Sequence, residues 1–253
     1  MTQIDVEDIA GRFRGASEYL APLFGLENEF DYKIRLVPRD AEAVERELNF
    51  KMIRFVGDFG PDDGKSMVSV EHYYKGSLIE SGFVGKIQFP FFHTGLITGR
   101  VLYNYVKPTI LSEMREFFKG FIYHGSSRVS LDGYFTLISV VSSCAGFAYA
   151  ARGEEQPEIL IQDAQRLATR EPVVTPTDLS PADKFVSTMD QDNFLSTRLA
   201  YVLFCREGPE IIPALVHLKF KEAHRRIQKL TGIDIKNVDQ KKLENLVERR
   251  AES

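Results

Sequence analysis

The chain has 253 residues, 43% of them hydrophobic and 27% charged, which is enough to bury the core of one large domain or two small ones. Its net charge is −4, from 32 basic and 36 acidic residues, so the chain as a whole lacks the positive charge that is typical of a nucleic-acid-binding protein. The balance is uneven, because residues 1–100 hold 12 basic and 16 acidic residues whereas residues 101–253 hold 20 of each.

The chain has no apolar run near the roughly 20 residues that a membrane-spanning helix needs, and its first residues lack a signal-peptide pattern. Its two cysteines, Cys144 and Cys205, lie in apolar segments without the spacing of a disulfide framework or a metal site. We therefore expect a cytoplasmic protein with two buried thiols and no membrane partner.

The first predicted element is an N-terminal helix or arm in residues 1–29. Apolar side chains recur there at roughly helical spacing before Gly25, at Ile9, Phe13, Tyr19, Leu20 and Leu23.

Residues 30–99 are expected to form an α+β or β-rich part. Alternating apolar and polar residues predict strands at 32–38, 51–59 and 66–74, the last continuing into a hairpin, with a short helix at 41–49 and a turn at 61–65.

From residue 100 onward the pattern is helical. Residues 100–235 are expected to form a helical RNA-binding core, and residues 236–253 a C-terminal helix or arm. A helix is predicted to begin at Lys107-Pro108-Thr109, because proline is tolerated in a first helical turn. Residues 131–151 are nearly all apolar or small, which predicts a central helix or helix pair that its neighbours can approach closely. Further helices are predicted at 158–170, 194–205, 213–230 and 239–250, with a break at Thr231-Gly232. The predicted fold class is a mostly α-helical core with a β-containing (α+β) N-terminal part.

The sequence contains none of the common catalytic or phosphate-binding motifs, such as Gly-x-Gly-x-x-Gly, the Walker loop, His-Glu-x-x-His or Gly-x-Ser-x-Gly. His217 and His224 are seven residues apart, whereas metal ligands on one helix usually lie three or four apart. Cys144 has apolar neighbours, which raise the pKa of a thiol and favour a structural role. We therefore expect no enzymatic activity, no cofactor and no metal site.

The strongest functional signal is a cationic stretch from His217 to Asp234. Between His217 and Lys229 it holds one acid, Glu222, and the cations Lys219, Lys221, Arg225, Arg226 and Lys229. On a helix, Lys221, Arg225 and Lys229 recur every four residues and line one face, where they could follow a row of phosphates. The alternative is a solvated helix face, which is what a run of charges usually forms.

Four short fragments, in the same order, resemble the coat-protein core of flexible filamentous plant viruses, the potyvirus group in particular. They are Phe89-Pro90, Val106-Lys107-Pro108-Thr109-Ile110, the segment FLSTRLAYVLF at 194–204, and Glu222-Ala223-His224 with Leu230-Thr231-Gly232-Ile233-Asp234. The segment from Thr136 to Phe147 is also similar to a helix of segmented negative-strand virus nucleoproteins, a group that resembles the first in fold. The resemblance implies a protein that polymerises along single-stranded RNA, with a helical core whose groove holds the backbone and arms that pack onto neighbouring subunits.

The resemblance also suggests RNA-contacting residues. In the coat-protein family a Ser, an Arg and an Asp line the RNA pocket, and the similar positions here are Ser77 and Arg152. The Asp has no counterpart, since its place falls near Leu203, so either Asp192 substitutes or the pocket is built differently. The remaining cations expected to bind RNA are Arg128, Arg198, Lys221, Arg225 and Lys229, while Tyr or Phe rings hold unstacked bases. Phe13 and Tyr19 are expected to be exposed and to contact neighbouring subunits.

Three functions stay open at this point. The preferred hypothesis is a structural coat protein or nucleoprotein of the virion and host cytoplasm, which encapsidates single-stranded RNA without sequence specificity as a helical or filamentous homo-oligomer. The second is a protein–protein scaffold or regulatory module that does not bind RNA, which the net charge of −4 favours. The third is an enzyme whose site follows no recognised motif.

Overall fold

A computed structural model of the chain describes residues 6–38, 66–84, 90–109, 137–152, 195–235 and 238–251. These residues form mostly helices, with a three-stranded antiparallel sheet in the N-terminal part. The predicted fold class is therefore confirmed. No helix within the described ranges is long and apolar enough to cross a membrane.

The first helix, α1 (Val6–Leu23), packs one face against the sheet and against the helix that follows it. Ile9, Phe13 and Leu20 recur at helical spacing on this face and are all buried, so the helix predicted within residues 1–29 is confirmed. The prediction that Phe13 is exposed is wrong, because its side chain is 0% exposed against the sheet. Tyr19 is partly buried. This helix is thus an integral layer of the fold.

The sheet contains β1 (Phe30–Pro38), β2 (Ser66–Tyr74) and β3 (Ser77–Val84), in that order. A two-residue turn at Lys75 and Gly76 joins β2 to β3, and both residues have the positive φ that such a hairpin turn requires. These elements confirm the strands predicted at 32–38 and 66–74 and the hairpin after them. The predictions at 41–49, 51–59 and 61–65 lie outside the described residues.

Helices α2 (Pro90–Val106) and α3 (Leu137–Arg152) pack closely because glycines lie at their contact. A Cβ added at Gly99 would lie 2.3 Å from the Cβ of Ala145, and one added at Gly95 would lie 2.8 Å from the carbonyl oxygen of Ala145. A Cβ at Gly146 would lie 2.8 Å from the ring of Phe92. The predicted close approach of a neighbour to the small-residue segment at 131–151 is confirmed for the described part of it.

Helix α2 begins at Pro90, ten residues before the boundary predicted at residue 100 between the α+β or β-rich part and the helical core. Pro90 begins the helix at a position where its missing N–H costs no hydrogen bond. Glycines and β-branched residues give the rest of α2 a weak intrinsic helix preference, and its packing against α3 stabilises the helix instead. The Lys107-Pro108-Thr109 turn follows α2, and the helix predicted to begin there lies outside the described residues.

The C-terminal part consists of α4 (residues 195–207), a 3₁₀ turn (Gly208–Glu210), α5 (Ile211–Val216), α6 (Phe220–Thr231) and α7 (Gln240–Ala251). All four helices contribute to one core through fully buried side chains, among them Leu199, Leu203, Ile212, Ile227 and Leu243. The helices predicted at 194–205 and 239–250 are confirmed. The one predicted at 158–170 lies outside the described residues.

The helix predicted at 213–230 is divided in two, with a break at residues 217–219. Lys219 is extended, with a ψ angle of 154°, and its backbone N–H donates to the carboxylate of Glu222 over 3.2 Å. This carboxylate caps the start of α6, as in a capping box. At the other end, Gly232 has a φ of 71° and its N–H donates to the carbonyl oxygen of Gln228 over 2.7 Å, which confirms the predicted break at Thr231-Gly232.

The two cysteines lie in different environments. Cys144 is fully buried in α3, and burial raises the pKa of its thiol, as its apolar neighbours predict. Cys205 is exposed, so the prediction of two buried thiols is wrong. Residues 195–203 of α4 are buried throughout, but its last turn leaves the core and exposes Cys205 to solvent.

Candidate nucleic-acid interface

The outer face of α6 carries the cationic stripe predicted from the sequence. Lys221, Arg225 and Lys229 are all exposed, and neighbouring cations are separated by about 6 Å along the helix axis. Phe220 and Ile227 are buried on the opposite face, where they fix the rotation of α6 against the core. The amphipathic pattern of this helix therefore presents the stripe to solvent.

The charges of this stripe are not neutralised by any described carboxylate. The nearby acids have other partners, because Glu222 accepts from the backbone of Lys219 and Asp234 lies 2.9 Å from Nε2 of His224. No salt bridge joins Lys221, Arg225 or Lys229 to another residue in the parts of the chain that the structure describes. The stripe therefore keeps its positive charge, which is what binding a polyanion requires.

Cations from three other elements hold the ends of α6 in place. Arg206 of α4 donates to the carbonyl oxygen of Leu230 over 2.6 Å, and Lys242 of α7 donates to that of Gly232 over 2.7 Å. Before α6, the ammonium of Lys107 donates to the carbonyl oxygen of Leu218 over 3.2 Å. This last bond connects the Lys107-Pro108-Thr109 turn to the start of the cationic helix.

A second cationic site lies where α1 meets the end of α3. The exposed guanidinium of Arg152 lies over the ring of Tyr19, 4.9 Å from its centroid. The hydroxyl of Tyr149 donates to the backbone carbonyl of Arg12 over 3.1 Å, and this bond connects the two helices. Burial raises the pKa of Tyr149, the charges of Arg152 and Arg12 act in the opposite direction, and the charge of Glu18 acts in the same direction as burial.

An aromatic ring is exposed beside this second site. Phe91, at the start of α2, is 37% exposed, and its ring lies 5.9 Å from that of Tyr149. A base can stack on such a ring, while guanidinium groups nearby bind its phosphate. Sequence reasoning missed Arg12 and Phe91, because only the packing of α1 and α2 against α3 brings them to Arg152.

Arg198, predicted to bind RNA, lies in the interior. Its side chain is 8% exposed and its guanidinium is 3.0 Å from the carboxylate of Glu244. This ion pair joins α4 to α7 and leaves little of the guanidinium open to a phosphate. The structure therefore favours a structural role for Arg198 over the predicted RNA-binding role. Helical spacing in the sequence could not distinguish these two roles.

Ser77 and Leu203, the positions that the resemblance singled out besides Arg152, lie in different surroundings. Ser77 is exposed beside the β2–β3 turn, where Lys75 forms salt bridges of 3.0 and 3.1 Å with Glu27 and Glu29. The hydrogen bonds that Lys75 donates to these carboxylates raise its pKa. Leu203 is 0% exposed, so an Asp at that position would lie in the apolar core. Arg128 and Asp192 lie outside the described residues.

A shallow cleft of about 450 Å³ lies between α1 and β1. Its charged lining is largely paired, since Arg14 lies 3.5 Å from Glu7 and Arg35 contacts Glu71. A hydrogen bond from Tyr73 further lowers the pKa of Glu71. Within the described ranges, no group of three or more His, Cys, Asp or Glu side chains is arranged to hold a metal ion.

Comparison with known proteins provides no relative, since no protein-family model, no curated protein and no solved structure matches this chain. The resemblance to filamentous plant virus coat proteins and to segmented negative-strand virus nucleoproteins stays a prediction.

Proposed function

We propose that this protein is a structural coat protein or nucleoprotein that binds single-stranded RNA without sequence specificity and polymerises along it in the virion and the host cytoplasm. The observation that carries the proposal is the exposed stripe of Lys221, Arg225 and Lys229 on α6, which has no carboxylate partner among the described residues. Each phosphate that such a stripe neutralises releases counterions, and this release favours binding to any RNA sequence.

The second cationic site supports the same function. Arg152 over the ring of Tyr19 and the exposed ring of Phe91 beside Tyr149 combine positive charge with an aromatic surface. Stacking on aromatic rings needs unpaired bases and tolerates all four of them, which favours single-stranded RNA over a duplex. The net charge of −4 is compatible with this function if each subunit covers a short stretch of RNA and contacts between subunits make binding cooperative.

A protein–protein scaffold without RNA is the second candidate. Two exposed apolar side chains favour it, Leu78 at 55% exposure in β3 and Tyr105 at 41% exposure near the end of α2. Side chains of this kind are enriched at protein interfaces, although single exposed ones are common on any surface. These same side chains would also suit contacts between subunits of a coat.

Electron microscopy of the purified protein with and without added single-stranded RNA tests the proposal, together with the ratio of absorbance at 260 and 280 nm. We expect helical or filamentous particles that protect RNA from nuclease at about 50 mM salt and lose that protection at about 500 mM. Monodisperse particles that are free of nucleic acid and ignore added RNA would contradict the proposal and favour the scaffold.

A further inference from the structure

His72 of β2 is a buried titratable group without a hydrogen-bond partner. Its side chain is 1% exposed, and neither ring nitrogen has a partner among the described residues. A neutral imidazole in this position leaves one N–H donor unsatisfied, and a protonated one would leave two donors and a charge in an apolar environment. This position therefore tolerates the neutral ring and disfavours the charged one.

The ring lies between α1 and the sheet. Phe13 of α1 meets it edge to face with a centroid separation of 5.6 Å, and Tyr32 of β1 does the same at 5.0 Å. The hydroxyl of Tyr32 is already engaged with Ser17, whose own hydroxyl donates to the carbonyl oxygen of Phe13 over 3.0 Å. The aromatic groups that attach α1 to the sheet thus pack against His72, and no described residue accepts a hydrogen bond from its ring.

Side chains from α1, α2 and β1 pack around His72, and most of them are neutral or apolar. Phe13 and Ser17 are the neutral neighbours from α1, and α2 adds the apolar Ile97 to this cluster. Burial raises the pKa of the β1 neighbour Tyr32 to about 12, which keeps it neutral. Glu80 is the register partner of His72 on β3. Burial alone accounts for the lowered pKa of His72, at about 3.

The docking of α1 decides the geometry of the second cationic site. Arg12 and Tyr19 both belong to α1, whereas Arg152 and Tyr149 belong to α3. Moving α1 away from the sheet would break the bond from Tyr149 to Arg12 and separate Tyr19 from Arg152. The state of His72 and the state of this site are therefore coupled through one helix.

We propose that His72 is a pH-sensitive contact: when its ring gains a proton, α1 detaches from the sheet and the site formed by Arg12, Tyr19 and Arg152 comes apart. The effect on RNA rests on the function proposed above. The detachment of α1 is independent of that function, because it depends only on the burial of His72.

The direction of the pH dependence follows from proton linkage. The pKa of His72 is about 3 when α1 is docked and about 6.5 when the ring reaches water, so the undocked state binds the proton more tightly. The contribution of the neutral His72 ring to the free energy of docking is fully present above pH 6.5, and it is lost progressively as the pH falls from 6.5 toward 3. Between pH 7.5 and pH 5 the population of undocked α1 rises about 30-fold.

Hydrogen exchange of the α1 amides, expressed as protection factors at several pH values, measures this population directly. The variants are His72→Phe and His72→Leu, which keep an apolar side chain but cannot take a proton, with His217→Asn as a control because His217 is exposed. We expect protection of α1 in the wild type and in His217→Asn to fall about 30-fold between pH 7.5 and pH 5. It should be flat in whichever His72 variant folds.

Two outcomes decide the proposal. A wild-type protection of α1 that does not change with pH, or an equal change in the His72 variants, would overturn it. Affinity for a single-stranded RNA is measured on the same samples and should fall in the wild type relative to His72→Phe at the pH where exchange shows α1 undocked in at least half of the molecules. If α1 is undocked to that extent and RNA affinity does not follow, the pH-sensitive contact stands and the RNA site on α1 is wrong.

Discussion

Helix α2 takes part in two interfaces that are built in different ways. Against α3 it presents Gly95 and Gly99, and the contact is close, because a Cβ added at either glycine would lie within 3 Å of an atom of α3. The α1–sheet layer on its other side contains the buried polar side chains of Ser17 and His72 and the partly buried Tyr32. The first interface is expected to hold under all mild conditions, whereas the second depends on pH. The part of the molecule that can open is thus the part that carries Arg12 and Tyr19.

The charged surfaces differ in a parallel way. On the sheet, Lys75 and Arg35 are paired with carboxylates, and Lys33 lies over the ring of Tyr73. On α6, the stripe of Lys221, Arg225 and Lys229 has no such partners among the described residues. The net charge of −4 does not reveal this difference between paired and unpaired cations. The pairing of cations, more than their number, determines which surface can bind a polyanion.

Filling the glycine contact between α2 and α3 should have the largest effect on stability. In Gly99→Val, the new side chain would overlap Ala145, whose Cβ lies 2.3 Å from the nearest added atom. We expect the free energy of unfolding to fall by about 3 kcal/mol, as is found for overpacked cores. Urea denaturation followed by circular dichroism measures it.

Gly11→Ala in α1 is the matched control, because a Cβ at Gly11 meets no atom within 4 Å. Alanine favours the helix over glycine, so this variant should be more stable than the wild type by about 0.5–1 kcal/mol. If both glycine substitutions destabilise the protein equally, the contrast between the close interface and the open helix surface is wrong.

Removing the buried guanidinium of Arg198 should have a moderate effect. Arg198→Ala leaves the Glu244 carboxylate without its partner and a void between α4 and α7, which should lower the free energy of unfolding by about 2 kcal/mol. Arg35→Ala removes an ion pair whose guanidinium is 63% exposed and should cost less than about 1 kcal/mol.

RNA affinity separates the structural role of Arg198 from a binding role. Since its side chain is 8% exposed, RNA affinity at a temperature where Arg198→Ala is folded should equal that of the wild type. A loss of affinity as large as that of Arg152→Ala would restore Arg198 to the interface.

Much of the local structure could be predicted from the sequence, because it depends on local patterns. Alternation predicted β1 and β2, and Gly232 marked the end of α6 through a left-handed conformation that suits glycine. The start of α2 could not be predicted, since its glycines weaken the helical preference and only contact with α3 stabilises it.

The candidate site was predicted only in part, for the same reason. The stripe of α6 depends on a four-residue spacing within one helix, so Lys221, Arg225 and Lys229 were found. Arg12 and Phe91 join Arg152 through contacts between α1, α2 and α3, and no local pattern contains that information. The burial of Arg198 is likewise a tertiary property.

The salt dependence of RNA binding tests the central claim most directly, through two matched triple variants. One replaces Lys221, Arg225 and Lys229 by Gln, and the other makes the same change in net charge at Lys33, Arg35 and Lys75, which are also exposed. Losing three phosphate contacts should lower the slope of log K against log salt by about 2 and weaken binding about 100-fold at 0.1 M salt. The sheet variant should lose less than about threefold, since only screened long-range attraction is removed. Equal losses in both variants, or no loss in the α6 variant, would contradict the assignment of RNA binding to α6.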